Sequence, residues 1–137
     1  MNVIDRYLSY KLHVSRLELD LRWLEKQGEI IRSSAISEIQ GSGSSTDSRL
    51  DEIISRKQRI KIEIEEYSQL VDHVNVVLDV LKEKYNEKKD YERFDLKYLQ
   101  GKSFRYIARE THCSHEYARK IADEILKDFE ELTGILR

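Results

Sequence analysis

Apolar residues recur along the start of the chain at alternating steps of four and three: Val3, Tyr7, Tyr10, Val14, Leu17, Leu21, Leu24, then Gly28, Ile31 and Ala35. That spacing keeps one stripe of a helix turned toward a partner helix, and only Gly28 breaks it. A longer series follows at Leu50, Ile53, Lys57, Ile60, Ile64, Tyr67, Val71, Val74, Leu78, Leu81 and Tyr85, with Lys57 as its one polar member. Between the two series lies QGSGSSTDS, Gln40 to Ser48, where glycine and serine replace the pattern on either side and predict a flexible linker. Ser48 with Asp51 predicts a capping box at the start of the second helix. A short connection favours antiparallel neighbours, so the expected architecture is all-α, with a long antiparallel helical hairpin, coiled-coil-like, over residues 1–87. Pairing outward from the linker puts Leu24 near Ile64 and Leu17 near Val71. From Leu50 to Tyr85 the second helix spans about 54 Å at the helical rise per residue. The run KIEIE, Lys61 to Glu65, alternates like a strand but lies inside an unbroken seven-residue repeat, so the longer pattern decides for helix. Leu70, Val76, Val77 and Val80 widen the apolar stripe beyond what one partner helix covers, which predicts a homo-oligomer, with a dimer favoured, or packing against the C-terminal helices.

After the polar run NEKKDYE, Asn86 to Glu92, the pattern shortens, and residues 88–137 are expected to form a separate small unit. RFDLKYL, Arg93 to Leu99, places Phe94, Tyr98 and Leu99 on one helical face and stops before Gly101, a residue suited to a helix end. Ser103 is placed to cap a helix containing Phe104, Ile107 and Ala108. Thr111 to Ser114 separate it from a last helix, for which Ser114 is a natural N-cap and Glu116 suits the positive end of the dipole. That helix is expected to bury Ala118, Ile121, Ile125, Leu126 and Phe129. Short helix, tight turn and a second helix with a polar N-terminal face is the helix-turn-helix layout, in which the second helix enters the major groove.

Composition supports an all-helical chain: there is no proline among the 137 residues and there are only five glycines. With 39% hydrophobic and 36% charged residues, apolar material for a thick single core is lacking. The net charge of −2 conceals a local asymmetry. Lys102, Arg105, Arg109, Arg119 and Lys120 stand against Glu110 and Glu116, after which Asp123, Glu124, Asp128, Glu130 and Glu131 reverse the sign. On the expected outer face, Arg119 has the fork that fits guanine, Glu116 can accept from cytosine, and His115 or Tyr117 can reach a base or phosphate. Lys120 shares that face, and Lys102, Arg105 and Arg109 are suited to phosphates. Ser103 and Ser114, at the two helix starts, complete the candidate double-stranded DNA interface.

His112, Cys113 and His115 fall close enough together to raise the question of a chemical site. A structural zinc needs four ligands, whereas the chain has one cysteine and four histidines, two of them, His13 and His73, in the long helices. Helix-turn-helix packing turns Cys113 inward as a small hydrophobe, and His112 falls where the turn wants a positive backbone dihedral. No carboxylate pair, phosphate loop or triad stands out, so neither an enzyme nor a cofactor is expected. A single cysteine allows no intramolecular disulfide, no segment is apolar for long enough to span a bilayer, and the N-terminus lacks a signal-peptide core, which together predict a cytoplasmic address.

Residues Tyr106 to Ile121 resemble the promoter-reading region 4 of bacterial sigma factors. Ile107, Ala108, Ser114, Glu116, Arg119 and Ile121 match that pattern and Cys113 stands for its buried isoleucine, while Tyr106, Thr111 and His112 replace its usual glutamate, leucine and glycine. A helical N-terminal half, a Gly/Ser break and a sigma-like reader together resemble small phage regulators of the ArpU and RinA type. That resemblance implies activation of phage late genes, packaging genes included, in a Gram-positive bacterial host; the helical half is expected to set the oligomeric state or to recruit a partner such as RNA polymerase. Two rival expectations are a phage terminase small subunit, which also combines a helix-turn-helix with oligomerising helices, and a coiled-coil adaptor that binds protein rather than DNA.

Overall fold

The computed structural model describes the backbone of residues 2–37 and 43–134, and the side chains of all of these except 34–37 and 43–46. The described chain is all-helical: α1 (Val3–Ser37), α2 (Gly43–Lys84), α3 (Asp90–Phe94) running into a π-helical turn (Asp95–Leu99), α4 (Phe104–Glu110) and α5 (His115–Gly134). No described helix is long and apolar enough to cross a membrane. The chain divides into two compact units, residues 10–69 and residues 1–9 together with 70–137. The expected boundary near residue 87 divides the chain at a different place.

The seven-residue repeats are the seams. On α1, Tyr7, Leu17, Leu24, Gly28 and Ile31 are buried, and Val3, Tyr10, Val14 and Leu21 are half-buried. Every member from Leu50 to Leu81 on α2, and Tyr85 just beyond it, is buried or half-buried, Lys57 included, because its aliphatic stem can lie along the seam while the ammonium reaches water. Two expectations need correction. Part of the predicted linker, residues 40–42, lies outside the described residues, but from Gly43 the chain is already helical, so Ser48 sits inside α2 and does not start it with Asp51. Glycine costs a helix about 1 kcal/mol and serine less, whereas each added residue gains a hydrogen bond, so a helix anchored downstream by a long seam extends through such a stretch.

The second correction is the pairing register, which follows from the first. Within residues 10–69 the ring of Tyr10 meets that of Tyr67 edge-on at 4.8 Å, His13 Nε2 lies 3.5 Å from Glu63 Oε1, and Gly28 faces Ile53. Residue numbers rise on α1 as they fall on α2, which is the antiparallel order. Leu24 therefore meets the region of Ile53 and Arg56 rather than Ile64, a shift of roughly one heptad. A repeat of seven looks the same after a slip of seven, so periodicity fixes which stripes face each other and leaves the register to the turn.

The unit formed by residues 1–9 and 70–137 has a core of its own. Ile4 and Tyr7 from α1, Val74, Val77, Leu78 and Leu81 from α2, Phe94, and Ile121, Ile125 and Phe129 from α5 form one buried cluster. Leu70 and Val77 are thus accounted for by packing within this unit, while Val76 and Val80 are exposed. Tyr7 donates to Asn75 Oδ1 at 2.6 Å, and Tyr85 and Lys84 both donate to Asp128 Oδ2. Burial, and then the bond to Asp128, pushes the Tyr85 hydroxyl up to about 12, and burial does the same for Tyr91. A folded value raised above the usual 10 means the native state holds these protons more tightly. Their stabilising contribution is complete below pH 10 and is lost as pH rises through about 12. Urea midpoints measured at pH 9 and near pH 12 are expected to fall, and to fall less in Tyr85→Phe.

Candidate nucleic-acid interface

The turn between α4 and α5 is built as its residue types require. Ser103 accepts the Tyr106 N–H at 3.1 Å and Ser114 accepts the Tyr117 N–H at 3.1 Å, so both serines act as N-caps. His112 has φ +53°, the left-handed conformation expected of the turn, and the Cys113 N–H reaches back to the Ala108 carbonyl at 3.1 Å. Cys113 is half-buried against a small core of Leu96, Ile107 and Ala118. The helix before α4 ends at Gly101, φ +72°, where the Gln100 N–H closes a π-type bond on Asp95 and the Lys102 N–H bonds the Leu96 carbonyl.

Ala118, Ile121, Ala122, Ile125 and Phe129 form the dry side of α5, with Leu126 half-buried beside them. His115, Glu116, Arg119 and Lys120 are all exposed on the other side of the first two turns. The preceding α4 is in place behind them, with Ile107 fully buried. Lys102, Arg105 and Arg109 are exposed at and along α4.

Aromatic rings organise this basic surface. The Lys102 ammonium lies 5.4 Å from the Tyr106 ring centroid and the Arg109 guanidinium 5.7 Å from it. Around Phe104 stand the Lys97 ammonium at 4.5 Å and the Arg119 guanidinium at 5.2 Å, with the His115 ring edge-on at 5.9 Å. Each such contact is worth about 0.5–1 kcal/mol at an exposed site, enough to bias side chains that otherwise lose about 2 kcal/mol of rotamer entropy when a ligand fixes them. Lys97 is absent from the sequence-based set. It lies across Gly101 from the basic stretch, and no helical spacing links it to Phe104.

Tyr117 has a different position from its neighbours. Its hydroxyl donates to Asp90 Oδ1 at 3.0 Å, and its ring lies 5.1 Å from the guanidinium of Arg93. The bond to Asp90 raises its hydroxyl above the ordinary tyrosine value. Arg93 is 5% exposed and is the hub of this corner. Its Nη1 donates to Asp90 at 2.7 Å, its Nε to Thr111 Oγ1 at 3.0 Å, and its Nη2 to the Thr111 carbonyl at 3.0 Å. Thr111, itself buried, closes the chain of bonds by donating to the Ile107 carbonyl at 2.6 Å. A planar fork with several fixed donors is what this geometry requires, and lysine has no equivalent. The result ties α3 to the end of α4 and to the first turn of α5.

Among the described residues no group of His, Cys, Asp and Glu is arranged to hold a metal ion. The described surface carries exposed positive and hydrogen-bonding groups beside a helix start capped by Ser114. No family model, curated protein or solved structure matches the chain significantly.

Proposed function

We propose that the protein is a sequence-specific DNA-binding transcriptional regulator that reads the major groove with the start of α5. The observation that carries this is the exposure of His115, Glu116, Arg119 and Lys120 on a helix start capped by Ser114 while Ala118 and Ile121 anchor the opposite side. Arg119 and Glu116 supply a fork and an acceptor for base edges, and Lys102, Arg105 and Arg109 supply phosphate contacts on the neighbouring helix. The resemblance to sigma region 4 and to ArpU and RinA regulators supports a phage late-gene activator in the bacterial cytoplasm, acting as a homo-oligomer with RNA polymerase as its partner.

A site selected from random DNA provides the ligand for the test. In a mobility-shift titration, Arg119→Ala with Lys120→Ala is expected to weaken binding by about 100-fold, given 1–3 kcal/mol for a good base contact and less for a phosphate. Arg105→Ala is expected to weaken all sequences alike and to reduce the salt slope by about one. Equal affinity of the double variant and the parent for the selected site would overturn the proposal.

A further inference from the structure

Within residues 10–69, α1 is apolar on two sides. Opposite the seam, Leu12, Leu19, Trp23 and Ile30 are 54%, 58%, 58% and 57% exposed. With Arg16 and Lys26 they continue the steps of four and three, which makes a second seven-residue repeat on the outer side of the helix. Single exposed apolar residues are ordinary, but a row at seam spacing marks an interaction surface. Neither Arg16 nor Lys26 is ion-paired among the described residues.

The outer side of α2 in the same unit has the complementary character. Ile54 and Ile62 are 44% and 58% exposed, and Asp51, Gln58 and Glu65 share their stripe. The α1 stripe carries bases and no acid; on α2 the two isoleucines stand between Asp51 and Glu65, with Lys61 one heptad beyond Ile54. On α1 a base stands at each end of the Leu19–Trp23 pair, about 15 Å apart; on α2 an acid stands at each end of the Ile54–Ile62 pair, about 21 Å apart. The reach of the arginine and lysine side chains covers the difference.

We infer that a second copy of this chain occupies the outer face of α1, docking through the outer face of its α2, with Leu19 and Trp23 against Ile62 and Ile54 and with Arg16 and Lys26 against Glu65 and Asp51. This rests on the oligomeric part of the proposed function and names the surface it uses. The contact joins two different patches, α1 of one copy and α2 of the next, which is a head-to-tail arrangement. Such an assembly closes as a ring or continues as a chain, and it is not limited to the dimer expected from the repeats alone.

Trp23 is the one tryptophan in the chain and reports directly on this contact. Full-length protein is examined by light scattering and by tryptophan emission across a concentration series. The expected result is a mass rising beyond a dimer together with a blue shift of emission as Trp23 leaves water. Arg16→Glu with Lys26→Glu, and separately Asp51→Lys with Glu65→Lys, are expected to abolish both signals while helicity is retained. Mixing the two double variants restores opposite charge at both contacts, so the mass and the blue shift are expected to return. A protein that is monomeric at every concentration overturns both the oligomeric reading and this surface. A protein that oligomerises with Trp23 emission unmoved, or whose charge-reversed variants assemble as the parent does, overturns the surface alone.

Discussion

Arg93→Ala is expected to remove about 3–5 kcal/mol of stability, because it strips a buried ion pair of one partner and leaves Asp90 and Thr111 facing the gap. The loss has three physical parts. Asp90 loses its ion-pair partner in a corner where its side chain is 17% exposed. The Thr111 carbonyl loses a donor inside the protein, and the Tyr117 ring loses the cation above it. Urea unfolding followed by circular dichroism measures the effect, and Thr111→Val, which keeps the shape and removes only the hydroxyl, is expected to cost less, on the order of 1–2 kcal/mol. DNA affinity is expected to fall in Arg93→Ala although Arg93 is buried, since the guanidinium holds Tyr117 and the turn in front of Ser114. A loss of stability under 1 kcal/mol would mean the corner is held by its apolar neighbours instead.

The second large effect is expected at Phe94. Its side chain is fully buried, and its ring is surrounded by those of Tyr91 at 5.9 Å, Tyr98 at 5.6 Å and Phe129 at 6.1 Å. Phe94→Ala leaves a cavity that rigid aromatic neighbours collapse poorly, and the expected cost is about 3–5 kcal/mol. Phe94→Leu refills most of the volume and is expected to cost clearly less. The two variants separate volume from aromatic contact: equal losses would show that ring–ring geometry, rather than space filling, carries the stabilisation. The same measurement on Phe129→Leu places the partner ring on the same scale.

The helical architecture was legible because its signals are long and redundant. The seam positions from Val3 to Tyr85 repeat often enough that one polar member, Lys57, does not obscure them. The caps at Ser103 and Ser114 and the positive φ at His112 were legible because each follows from a local rule with few alternatives. What escaped the sequence was whatever depends on distance in space. The register of α1 against α2 is invisible to a repeat that maps onto itself, and the helical stretch from Gly43 to Ser48 reflects anchoring from downstream rather than local propensity. The period of RFDLKYL assigns no role to Arg93, whose buried side chain finds its partner in Thr111, eighteen residues away. Lys97 joins the basic surface only because the π-helical turn and Gly101 bring it back over Phe104. Of the candidate interface, the exposed face of α5 could be anticipated from its period, whereas the rings that organise the cations could not.

The buried cluster that joins Ile4 and Tyr7 to Ile125 and Phe129 draws together segments more than a hundred residues apart in sequence. Closing this core therefore requires contacts between residues far apart in sequence, which makes its completion a late, high-contact-order event. A gene fragment cut at residue 88 to isolate the helix-turn-helix would leave Phe94, Ile125 and Phe129 without the α1 and α2 residues that cover them. An excised fragment of that kind would be born with an open core.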